Sequence, residues 1–108
     1  MDLTLIELCD GTDAAAGIFT RNALPGAPVL LCRERIGGTG IRGILVNNKV
    51  ANVCVSGGLA DAKRVTAELA CCTGTAGEQW LYASTGVIGW KIPADPIAAE
   101  LPGLLAGL

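Results

Sequence analysis

Residues Gly57–Ser84, GGLADAKRVTAELACCTGTAGEQWLYAS, decide the fold of this 108-residue chain. Upstream, apolar residues come in short runs; here the period changes. Leu59, Ala62, Thr66 and Leu69 recur at helical spacing, while Asp61, Lys63, Arg64 and Glu68 fall largely off that face. The spacing predicts a helix from Leu59 to Cys71, closed by the turn chemistry of Thr73-Gly74-Thr75-Ala76-Gly77. Trp80–Ser84 then reads as a short strand. Strands and helices in one compact run place the chain in the mixed α/β or α+β class, a mixed sheet packed with helices.

Working outward, Leu3–Leu8 reads as a strand with partial alternation, and Asp10-Gly11-Thr12-Asp13 as a turn cluster. Ala15–Thr20 gives a second strand, and the two together read as a hairpin. Pro28–Arg33, with Val29-Leu30-Leu31 at its centre, reads as a third, buried strand. Gly37-Gly38-Thr39-Gly40 is a flexible loop, and Ile41–Val46 a fourth strand ending in the polar Asn47-Asn48-Lys49. Near the C-terminus, Asp95 followed by Pro96 predicts a helix start, a capping carboxylate and then proline at the first helical position. Ile97, Leu101 and Leu104 supply its apolar stripe, and Pro102-Gly103 should end it early.

Apolar residues make up 51% of the chain and charged ones 17%, enough to bury a core and too apolar for a disordered tail. The core is aliphatic, since Phe19, Trp80, Tyr82 and Trp90 are the only aromatic residues. A net charge of −2 with scattered basic residues argues against a nucleic-acid partner. No apolar stretch reaches the roughly 18 residues of a membrane span, and Met1-Asp2-Leu3-Thr4 lacks the pattern of a signal peptide, so a cytoplasmic location is expected. Five cysteines (Cys9, Cys32, Cys54, Cys71, Cys72) contain no Cys-x-x-Cys, and histidine is absent. No metal site is therefore expected, and the cysteines read as buried, reduced thiols. The missing histidine also removes any Ser–His or Cys–His pair. A nucleophile would need another base, or would be an N-terminal residue activated by its own amine.

The segment Ser84-Thr85-Gly86-Val87-Ile88-Gly89 runs hydroxylic residues straight into a glycine at the end of a strand. Glycine lets a backbone N–H approach a ligand with no Cβ in the way, which suits stabilisation of a developing negative oxygen. Taken alone, the same letters also describe an ordinary strand-to-turn connection. Asn47 and Asn52 likewise read either as loop asparagines bonding their own backbone or as residues shaping a site.

Ser84–Gly89 resembles the oxyanion-hole motif of the ornithine acetyltransferase family, the bifunctional glutamate N-acetyltransferases. The resemblance extends in order along the chain. Asp2–Ile6 is similar to the family's opening strand, Ala15–Asn22 to its "AAGVFT-x-N" segment and Ala27–Leu30 to its "APV" strand. Asn47–Cys54 is similar to "NSGNANAC", Leu59–Ala62 to the start of the following helix, and Pro93-Ala94-Asp95 continues the order. The resemblance implies an N-terminal, α-chain portion (residues 1–108) of an Ntn-hydrolase-like layered fold. It implies a precursor that cuts itself before a threonine, whose freed amine then activates it as the nucleophile of a second, β chain. It further implies acetyl transfer from N-acetylornithine to glutamate in arginine biosynthesis through an acetyl-threonine, without a cofactor, in a hetero-oligomer of the two chains. Carried over residue by residue, the oxyanion donors are the Thr85 side chain and the Gly86 N–H.

The chain departs from the family at Asn48, Lys49 and Val50, which stand where the family has Ser, Gly and Asn, and at Val55-Ser56 in place of Thr-Gly. If that glycine has positive φ, Lys49 adds strain. The nucleophilic threonine has no counterpart in these residues, so the chain is expected to carry the oxyanion half of a site and to be inactive alone. Two alternatives are a divergent acyltransferase or amidohydrolase of the same family, and a non-catalytic module for oligomerisation or partner binding.

Overall fold

The computed structural model describes residues 1–108. β1 (Leu3–Thr12) is followed by α1 (Ala27–Arg35), β2 (Ile41–Asn47), α2 (Gly58–Thr73), a single 3-10 turn at Gly77–Gln79, β3 (Trp80–Ser84) and α3 (Ala94–Ala106). The sheet order is β1-β2-β3. β1 runs antiparallel to β2, with Leu5 opposite Leu45. β3 runs parallel to β2, with Leu45 opposite Tyr82 and Asn47 opposite Ser84. The parallel pair needs a crossover connection, and α2 supplies it. This is the α+β class expected, with a mixed sheet packed with helices.

The alternation along each strand sorts residues to two faces. Leu5, Leu45, Trp80 and Tyr82 join Leu31 of α1, Ala62, Val65 and Leu69 of α2, and Ile97 and Leu101 of α3 in one buried cluster. Ile6 and Leu8 of β1 lie exposed, and Ile44, Val46, Leu81 and Ala83 only half-buried, so the other face of the sheet is apolar and open. Trp80 is fully buried, and its Nε1 donates to Thr75 Oγ at 2.8 Å. Arg35 is buried at the end of α1, where Nη1 donates to Thr66 Oγ at 2.9 Å and to the Trp80 carbonyl at 2.7 Å. That one guanidinium ties α1 to α2 and β3. No helix of the chain is long and apolar enough to cross a membrane.

α2 matches the predicted helix closely, and Gly74 at its C-cap adopts a left-handed φ of 67°. Pro28–Arg33 is helix, not strand. Ala27, Leu31 and Arg35, spaced by four, bury one face of α1, Pro28 sits in its first turn, and Arg33 and Arg35 occupy its last. Ala15–Thr20 forms no strand and makes no hairpin with β1, whose only partner in the sheet is β2. Ile18 there is fully exposed, and local bonds such as Asn22 N–H to Thr20 Oγ shape the segment instead. Asp10–Thr12 stays in β1 rather than turning, with the register shifting between Glu7 and Thr12 and Gly11 at φ 69°. α3 starts at Ala94, one residue before the expected cap. Asp95 lies in its first turn and pairs with Arg64. Pro102 does not end α3, because it sits on the exposed side while Leu101 is anchored in the core and Leu104 and Leu105 pack against it. The cysteines are not buried: Cys9, Cys54, Cys71 and Cys72 are exposed and Cys32 is half-buried.

Candidate functional site

Parallel strands end on the same side, and the carboxyl ends of such strands are where loops gather to form sites. β2 ends at Asn47 and β3 at Ser84, and the two segments that follow stay zipped together. Thr85 N–H donates to the Asn47 carbonyl (3.1 Å), Val87 N–H to that of Lys49 (3.0 Å), and Gly89 N–H to that of Val53 (2.9 Å). In return, Ala51 N–H donates to the Val87 carbonyl at 2.9 Å. The ladder thus continues past the sheet, with Val50 and Val87 bridged in parallel.

Gly86 lies in the middle of this ladder with φ +133°, and a Cβ there would come within 2.2 Å of the Lys49 carbonyl carbon. Only glycine fits. Its N–H donates to no group of the chain, nor does the Thr85 hydroxyl have a partner. Both residues are exposed. The facing loop is strained: Lys49 (φ 72°), Asn52 (φ 54°) and Cys54 (φ 56°) all adopt positive φ without being glycine.

Asn47 is fully buried directly beneath this loop. Its Nδ2 donates to the Val50 carbonyl at 3.0 Å and the Asn48 carbonyl at 3.3 Å, and its Oδ1 accepts from the Tyr82 hydroxyl. Ser84 Oγ adds a second donor to the Val50 carbonyl at 2.5 Å. Burial pushes the Tyr82 phenol up to about 12; the Ser84 hydroxyl works against that rise and the Asp61 charge adds to it. Asn47 thus bonds the local backbone of the loop above it.

Asn52 lies elsewhere. Its Nδ2 donates to the Gly58 carbonyl at 2.9 Å and its own carbonyl accepts from Ala27 N–H at 3.1 Å, joining the loop to the starts of α1 and α2. Its buried Oδ1 has no donor. It borders a cavity of about 460 Å³ between Leu24, Leu30, Val55 and Leu59. The structure therefore brings Asn47 against Thr85, places Lys49 against Gly86, and takes Asn52 to a neighbouring place. Sequence reasoning missed Tyr82 and Ser84 as partners of Asn47. The available signal was a lone tyrosine in an aliphatic strand, whose hydroxyl needs a partner when buried. No three His, Cys, Asp or Glu side chains gather as metal ligands.

A family model described as the ArgJ family matches residues 1–108. Among curated proteins, the chain is 46% identical to the arginine biosynthesis bifunctional protein ArgJ of Gluconobacter oxydans, over 99% of this chain and 25% of that protein. It is 38% identical to the protein of the same name from Geobacter sulfurreducens, over 100% of this chain and 28% of that one. The chain thus spans about a quarter of the length of these relatives. Among solved structures, an arginine biosynthesis bifunctional protein argJ from Bacillus halodurans superposes with a TM-score of 0.85 at 30% identity, covering 94% of this chain and 53% of that one. The ornithine acetyltransferase of Mycobacterium tuberculosis, complexed with ornithine, superposes with a TM-score of 0.90 at 30% identity, covering 97% of this chain and 57% of that one.

Proposed function

The chain belongs to the ArgJ family, and we propose on that premise that it is the oxyanion-bearing portion of an N-acetyltransferase of arginine biosynthesis. In this reading a threonine at the start of a second chain attacks the acetyl carbonyl of N-acetylornithine. Its hydroxyl proton passes to its own α-amine and on to the departing ornithine amine, leaving an acetyl-threonine. The amine of glutamate then attacks that ester and takes the acetyl group, and the threonine regains its proton. Each step passes through a tetrahedral oxyanion, and this chain would receive it between the Thr85 hydroxyl and the Gly86 N–H.

One observation carries the reading. At the carboxyl ends of the two parallel strands, Gly86 is held where no other residue fits, while its N–H and the adjacent Thr85 hydroxyl are exposed and unused by the protein. A peptide N–H fixed in advance stabilises a forming oxyanion without reorganising, and one such donor is worth roughly 3–4 kcal/mol of barrier. The open apolar face of the sheet, with Ile6, Ile44, Val46 and Leu81, suits cover by the remainder of the enzyme.

The test is to produce the chain together with the family segment that carries the nucleophilic threonine and to assay acetyl transfer. Transfer from N-acetylornithine to glutamate, with an acetyl-threonine detected by mass spectrometry, is the expected result. Release of acetate to water alone would replace the transferase reading with a hydrolase. A folded complex that forms no acyl-threonine would refute the enzymatic reading.

A further inference from the structure

We infer that Tyr82 is a positioning residue for the Gly86 peptide, acting through Asn47 and the Lys49–Val50 turn; the inference rests on the oxyanion reading above. The chain of contacts is short and buried. Tyr82 is 1% exposed, and its hydroxyl reaches neither Gly86 nor the open side of the loop; it donates to Asn47 Oδ1. The Asn47 amide, itself at 0% exposure, faces two carbonyl acceptors with its NH2, those of Asn48 and Val50.

A primary amide can be seated either way round, with oxygen and nitrogen exchanged. The Asn48 and Val50 carbonyls, which can only accept, turn the NH2 toward the loop, and the phenolic hydroxyl supplies the donor that Oδ1 then needs, holding the amide from its other end. Removing that hydroxyl strands a buried acceptor and loosens the amide that faces the loop. Val50 then loses the fixed orientation of one of its two side-chain donors, the other being Ser84 Oγ.

The consequence reaches Gly86 through Lys49. Lys49 is a non-glycine residue in the left-handed region, a conformation that persists only when its surroundings impose it. The bonds to Val50 on one side and to Asn48 on the other are what impose it. The Lys49 carbonyl accepts Val87 N–H, and the Lys49 backbone is in contact with Gly86. A rotation at Lys49 therefore moves the surface on which the Gly86 peptide rests. The Tyr82 ring is dispensable to none of the core, but its hydroxyl serves only this network, so Tyr82→Phe separates the two.

The experiment uses the complete enzyme, with kcat and KM for donor and acceptor measured in the wild type, Tyr82→Phe and a matched control, Thr75→Val. The control also takes one hydrogen-bond partner from a buried aromatic side chain, Trp80, but at the opposite end of β3. Expected for Tyr82→Phe is a fall in kcat of about tenfold or more with both KM values within about twofold, since small misplacements of a preorganised group cost rate more than binding. Thr75→Val should lower the melting midpoint similarly and leave kcat unchanged. A Tyr82→Phe enzyme with wild-type kcat, or a Thr75→Val enzyme slowed equally, overturns the role of Tyr82 while the oxyanion reading stands. A folded wild-type enzyme with no acyl transfer overturns both.

Discussion

Gly86 and Lys49 meet backbone to backbone, on two segments that the parallel pairing of β2 and β3 delivers to the same end of the sheet. Each has a conformation that ordinary residues avoid, φ +133° at Gly86 and φ 72° at Lys49, but only one of them is glycine. The glycine is required by contact, the lysine is tolerated at a cost.

Gly86→Ala is the direct test of that contact. The added methyl meets the Lys49 carbonyl group, which is backbone and cannot swing aside. The loss of stability should be about 2–3 kcal/mol, as for overpacking elsewhere, and kcat of the complete enzyme should fall by roughly 100-fold or more. Urea denaturation and steady-state kinetics read the two effects separately. Gly86→Pro, which also removes the N–H, should reduce turnover at least as far; unchanged turnover with the fold intact would remove Gly86 from the oxyanion site.

Lys49→Gly should go the other way. Lys49 is exposed, so little packing is lost, and the left-handed backbone is relieved. The left-handed cost of a non-glycine residue exceeds the extra entropy of glycine in the unfolded chain, for a net gain of up to about 1 kcal/mol. A higher urea midpoint at unchanged m-value is the expected reading.

Tyr82 is the only tyrosine, so the absorbance of tyrosinate reports it alone. Burial raises its folded-state pKa to about 12 against an ordinary value of 10.0. A raised folded pKa stabilises the protein fully below the unfolded value and loses that contribution as pH climbs from 10 to 12. The native chain should therefore titrate near 12 and the urea-unfolded chain near 10. Stability should fall across that window by on the order of 2–3 kcal/mol, and Tyr82→Phe should abolish this part of the alkaline loss.

Thiol chemistry separates the cysteines by position. Cys9, Cys54, Cys71 and Cys72 are exposed and should be alkylated rapidly in the folded chain. Cys32 packs against the core and its Sγ donates to the Tyr82 carbonyl at 3.3 Å, so it should react only on unfolding. Peptide mass spectrometry after a short pulse of reagent reads each site.

The contrast between α2 and α1 shows how legible the fold was. In α2, Leu59, Ala62, Thr66 and Leu69 keep helical spacing within a sixteen-residue helix, and local pattern suffices. In α1, Val29-Leu30-Leu31 is too short an apolar run to distinguish helix from buried strand, and the deciding feature is the burial of Ala27, Leu31 and Arg35 against β3 and α2. Pro28 in the first turn and Arg33 and Arg35 in the last were the available signals. Ala15–Thr20 has strand-like letters but no strand beside it, and a strand cannot exist without a partner.

The sequence by itself determined the class of fold, the long helix, the strands on either side of it, and the glycine-bearing segment Ser84–Gly89, within which the family resemblance points to Thr85 and Gly86 as donors. Those features are local: periodicity, turn chemistry and residue size operate between near neighbours. Only the tertiary structure decided that Asn47 sits under that segment while Asn52 belongs to a neighbouring junction, and that Tyr82 and Ser84 hold the loop from below. Those contacts join residues more than thirty positions apart, and they exist because two parallel strands end side by side.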